Sequence, residues 1–130
     1  MDMRRELMAD VCWAFVGSTF TDRIKFESEL KQYQAEITGN VNWDPSAIVA
    51  DLPAMRVQYV YWEDFEEIEQ IVMLVAENGS TFSAGEAMFA LHNAVVCKLA
   101  EIDHHFFEGL ILCEEQERDK PPLYELQQGS

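Results

Sequence analysis

The sequence predicts a single α+β domain over residues 1–130, with two to three helices packed on an antiparallel sheet of about four strands. Three observations point there. An amphipathic run over 21–37 ends in glycine, two β-rich runs flank a short acidic turn, and a long amphipathic run opens with a capping signature at residue 83. At 130 residues the chain can bury about two-thirds of its unfolded surface around one core.

Taken in order, RRELMADVCWAFV (4–16) places Leu7, Val11 and Phe15 at steps of four, with Met8, Ala14 and Val16 alongside. That spacing predicts a helix, although VCWAFV by itself also suits a strand. GSTFT then breaks the chain. In TDRIKFESELKQYQAEI, Phe26, Leu30, Tyr33 and Ile37 line one helical face, and Gly39 supplies the stop. In NWDPSAIVADLP, Asp44 reads as an N-cap with Pro45 at the first helical position, so one short helical turn is expected before Pro53.

MRVQYVYWE (55–63) alternates, and its β-branched and aromatic content predicts a strand; EIEQIVMLVAE (67–77) predicts a second. The two pair as an antiparallel hairpin. ENGS closes it, and Ser83 followed three residues later by Glu86 forms a capping box. The helix it opens carries Met88, Leu91, Val95, Leu99 and Ile102 on one face. HHFFEGLILCEE is apolar on both faces, which predicts a central strand covered on both sides; QERDKPP is a polar turn and LYELQ a closing strand.

Composition is globular, with 48% apolar, 12% aromatic and 25% charged residues. Charge is the outlier. With 24 acids against 9 bases, the formal net charge is −15 and the pI is near 4.3. The first fifty residues hold 8 acids and 5 bases, so the excess lies in the remainder. Such a field argues against nucleic acid and anionic membrane as partners and favours cationic proteins, though acidity alone also keeps a small protein soluble.

Cys12, Cys97 and Cys113 are odd in number, form no CxxC pair and stand among apolar neighbours, so reduced core cysteines are expected. MDMRRELMAD lacks the apolar stretch of a signal peptide, and nowhere do 18 apolar residues run together. A cytoplasmic location is the expectation.

The segment YWEDFEEIEQ, with Tyr59 just before it, sets Glu63, Asp64, Glu66, Glu67 and Glu69 among Tyr59, Tyr61, Trp62 and Phe65 at the tip of the predicted hairpin. Carboxylates steer a basic partner and aromatics anchor it. Without that role, the acids protect a strand edge from aggregation. A second set, Glu114 and Glu115 with Glu117 and Asp119, sits in the last predicted turn and extends the same surface if the two adjoin. The tip lacks EF-hand spacing, and a glycosidase-like acid pair has no sugar cleft to serve.

The alternative is a small metal-dependent enzyme built on His92, Asp103, His104 and His105, since imidazole and carboxylate suit zinc, manganese or iron. Adjacent histidines on a strand point to opposite faces, and no HExxH or HxH supports them. His92, at the margin of its helix's apolar face, reads as a structural histidine. No GxSxG elbow, glycine-rich phosphate loop or basic patch is present, so no catalytic residue, cofactor or metal is assigned. A third arrangement is a ligand-binding or homodimeric α+β module, with the strand around Ile111 packed against a second copy.

The block TFSAGEAMFALHNAVVCKLAEIDHHFFEGL (81–110) resembles small acidic bacterial immunity proteins of polymorphic toxin systems. The resemblance covers about a quarter of the chain. It implies a cytoplasmic, non-catalytic protein that binds one toxin domain and occludes its active site.

Overall fold

The computed structural model describes residues 4–130. In chain order the elements are β1 (Glu6–Leu7), β2 (Trp13–Ala14), α1 (Arg23–Thr38), β3 (Ile48–Ala50), β4 (Ala54–Glu63), β5 (Glu66–Val75), β6 (Phe82–Ser83), α2 (Ala84–Leu99), β7 (Phe106–Leu112) and β8 (Leu123–Gly129). The main sheet runs β1-β7-β8-β4-β5, with β2 also on β7, and β3 pairs with β6 in a small second sheet. The α+β class holds. The main sheet has six strands where about four were expected, and the β4–β8 pairing, Arg56↔Leu123 to Gln58↔Glu125, is parallel.

The expected helix over 4–16 is instead a pair of short strands. Leu7 faces Leu110, and Trp13 faces Phe107, both antiparallel to β7. Met8 breaks the run with φ 55. Beyond it Val11, Trp13 and Phe15 are buried while Cys12 and Ala14 are half-buried, a period of two. Steps of four satisfy both a helix face and a strand face. Trp13, midway between Val11 and Phe15, is the residue that separates the two.

α1 forms as its ends dictate. Asp22 accepts from the N–H groups of Ile24 and Lys25 at 2.9 and 3.4 Å, and Gly39, at φ 77, donates to the Ala35 carbonyl. Its buried face is Phe26, Leu30 and Gln34, and Ile37 is exposed. At α2 the Ser83 hydroxyl accepts from Glu86 N–H at 3.1 Å, but the Glu86 carboxylate accepts from Glu77 N–H at 2.7 Å rather than closing the capping box. The 44–47 segment is a turn, not a helix. Asp44 accepts from Ser46 N–H, and the carbonyls of Pro45 and Ala47 accept from Gly85 and Ala84, satisfying buried donors at the start of α2 that have no partner within the helix.

Four side-chain carboxamides each close both backbone groups of one distant residue. Gln34 takes the N–H and C=O of Cys12, Asn93 those of Phe20, Gln128 those of Val60, and Gln116 those of Leu123. An amide side chain offers the same donor and acceptor as a neighbouring strand, so these residues finish pairings that the short strands leave open.

In β7 the pairing with β8 shifts between Phe107 and Leu110. Gly109 sits in that bulge at φ 111, where an added Cβ would lie 3.2 Å from the Ala9 Cα, so glycine is required there. The helix-facing side of the sheet is buried through Met55, Val57, Leu74, Leu110, Tyr124 and Leu126. The opposite face carries exposed or half-buried side chains, Arg56 excepted. β7 is therefore covered on one side, not two, and Ile111 is half-buried.

Candidate functional site

β4 and β5 pair residue for residue from Ala54↔Val75 to Glu63↔Glu66, leaving Asp64 and Phe65 as a two-residue turn. Both turn residues have positive φ, 51 and 66, the requirement of a type I′ hairpin that Asn-Gly usually meets. Phe65 is fully exposed at the tip.

Strand alternation then divides the acidic cluster. Glu63 and Glu66 fall on the side of Tyr61, towards the helices, while Glu67 and Glu69 fall with Trp62 on the open face. Tyr61 is buried, with the Lys98 ammonium 5.0 Å above its ring, and Tyr59 is buried beside it. Of the aromatics expected at the tip, Trp62 and Phe65 are exposed. Tyr59 and Tyr61 belong to the core, a consequence of their even spacing with Met55 and Val57.

The second acidic set lies on the same open face. Gln58 and Glu125 are Cα partners across β4 and β8, and Glu125 faces Ile111 on its other side. A groove of about 580 Å³ is lined by Glu114, Glu115, Glu117, Glu125 and Gln58. A neighbouring one of about 280 Å³ is lined by Glu67, Glu69, Glu125, Gln58 and Val60. Gln58 and Glu125 belong to both, so they join the hairpin carboxylates to those of the β7–β8 loop. Glu125 was not among the expected residues, although the alternation of LYELQ leaves it opposite the buried Tyr124 and Leu126.

Not every acid there is free to bind. Glu117 pairs with Arg56 and with Lys120, each at 2.9 Å, and those two cations hold its carboxyl below the usual range. Arg56 is 5% exposed and also donates to the Pro121 carbonyl, so this pair pins the β7–β8 loop onto the sheet. Asp119 lines a separate hollow with Pro53, Ala54 and Lys120.

The histidine group is not assembled. His92 is fully buried; its Nδ1 accepts from the Trp13 indole and its Nε2 lies 2.9 Å from the Ser18 carbonyl. Both ring nitrogens are used, which makes it the neutral tautomer protonated at Nε2. His104 lies against Trp62, and His105 contacts the Ile102 carbonyl through Nδ1. Among the described residues no group of three or more His, Cys, Asp or Glu is placed to hold a metal ion.

The cysteines also differ from expectation: Cys97 is exposed, and Cys12 and Cys113 are half-buried. Cys97 follows the buried Val95 and Val96 and falls with Lys98 on the exposed part of α2. Burial pushes the Cys113 thiol up, and Glu125 adds to it. Among the described residues no helix is long and apolar enough to cross a membrane. Comparison with family models, with curated proteins and with solved structures returned no match.

Proposed function

We propose that the protein is a non-catalytic binding protein that neutralises a basic toxin domain by covering its active site with the acidic face of the sheet. One observation carries this reading: Gln58 and Glu125 connect Glu67 and Glu69 to Glu114 and Glu115 across a face that no helix covers. Carboxylates concentrated on one surface attract Lys and Arg, and where the partner is a nuclease they stand in place of phosphates. Trp62 and Phe65 supply exposed aromatic area at one end of that face, the kind of anchor that dominates interface energetics.

The test is capture from a lysate of the source cell on immobilised protein, washed at low and then high salt, followed by an activity assay of whatever is retained. The reading expects one basic protein whose activity falls when the complex forms. Retention of no basic protein, or of one that stays fully active in the complex, contradicts it.

A further inference from the structure

The open edge of β5 is an unused pairing surface. Among the described residues β5 pairs with β4 alone. Which of its backbone groups point outward follows from β4. Arg56 N–H donates to Pro122, and the N–H and C=O of Val60 are both taken by Gln128, so the even-numbered residues of β4 turn towards β8. Antiparallel ladders alternate, so the odd-numbered residues of β4 bond to β5 through Glu66, Ile68, Gln70, Val72 and Leu74. Glu67, Glu69, Ile71, Met73 and Val75 therefore turn their N–H and C=O groups away from the sheet, and their side chains onto the open face. Elsewhere carboxamides close single backbone pairs of this kind. Here, among the described residues, no side chain does.

We propose that β5 is a docking edge for an extended segment of the basic partner, an assignment that rests on the binding role above and specifies how it is made. The added strand lies antiparallel to β5, with Lys or Arg over Glu67 and Glu69 and apolar side chains over Ile71, Met73 and Val75, which are 48%, 52% and 66% exposed. Charge selects the occupant. A second copy of a chain with net charge −15 would bring a like-charged field to the contact and set Met73 and Val75, not cations, opposite Glu69 and Glu67, whereas a cationic strand meets opposite charge where β5 is acidic and apolar surface where it is not.

The probe is a synthetic peptide in which threonine alternates with valines in its N-terminal half and with lysines in its C-terminal half. Amide exchange read by NMR should slow about tenfold at the five outward residues when peptide binds, with the inward residues of β5 unchanged. Met73→Pro removes one outward N–H and no bond to β4, so it should keep the fold and weaken binding at least tenfold. Should it unsettle the hairpin, Ile71→Lys is expected to give the same loss with the ladder intact. No binding, or protection without the alternate pattern, overturns the proposal. Binding that survives both variants but falls with Glu67→Gln and Glu69→Gln also overturns it while leaving the acidic-face reading standing. Protection of the same amides in the protein alone, rising with its concentration, would give the edge to a second copy and overturn the assignment to a basic partner.

Discussion

Trp13 and His92, 79 residues apart in the chain, share a hydrogen bond in which the indole N–H donates to Nδ1 at 3.1 Å. Around it Phe20 and Phe26 set their rings 5.2 and 5.6 Å from the imidazole, so the bond ties β2 to α2 inside an aromatic box closed by α1. Burial pushes the imidazole below its ordinary value of 6.5, against the opposite pull of the Ser18 carbonyl.

The sign of the pH effect follows. The unfolded chain takes up a proton near pH 6.5 that the folded chain does not, so this contribution is complete above that pH and is lost as pH falls. His92→Gln should cost about 2–4 kcal/mol at neutral pH, from a lost aromatic fit and a displaced hydrogen-bond pair. Urea unfolding of both proteins should show the gap narrowing as pH drops below about 6.5; a gap that widens contradicts the neutral, doubly bonded imidazole.

At Phe65 stability and the proposed binding role pull in opposite directions. A bulky residue at φ 66 is strained by about 1–2 kcal/mol relative to glycine, so Phe65→Gly should raise stability by about 1 kcal/mol. Because Phe65 is fully exposed at the tip of the proposed binding face, the same change should weaken partner affinity about tenfold or more. Thermal melts and titration calorimetry on one variant read both.

Gly109 makes the opposite case. At φ 111 and against the Ala9 backbone, Gly109→Ala should destabilise by about 1–3 kcal/mol and disturb the β1–β7 contact first. Amide exchange at Leu7 and Leu110 would report it before the rest of the sheet.

The Arg56–Glu117 pair should act as a latch on the β7–β8 loop. Because Lys120 and Arg56 lower the Glu117 carboxyl below its ordinary 4.5, the latch is present above that pH and released as pH falls through the lowered value. Glu117→Gln is expected to speed amide exchange over 113–120 at neutral pH while leaving α2 unchanged.

How much of this was legible in the sequence depends on which force set each element. The hairpin, both longer helices, the Gly39 stop and the Ser83 cap follow from local periodicity and capping chemistry, whereas the Asp22 cap came only with the structure. The N-terminal strands did not, because Leu7, Val11 and Phe15 fit either period and the decision came from pairing with β7, some hundred residues away. Asp44-Pro45 reads equally as a helix start and as a turn; contact with the start of α2 chose the turn. The acidic tip was visible, but its division between two faces was fixed by a turn of two residues, and Glu125 entered through the parallel β4–β8 pairing, which alternation alone does not give.

The central claim is tested most directly by the association rate of the captured basic partner, measured by stopped flow against salt concentration. Wild type is compared with a variant carrying Gln at Glu67, Glu69, Glu114, Glu115 and Glu125, and with a control neutralised on α1 and beyond α2 at Glu29, Glu36 and Glu101. If the open face is the binding surface, the first variant should associate about tenfold more slowly at low salt and lose most of its salt dependence, while the control should stay close to wild type. Slowing in both in proportion to the five and three charges removed would reduce the effect to net charge, and an unchanged rate in the first would place the interface elsewhere on the molecule.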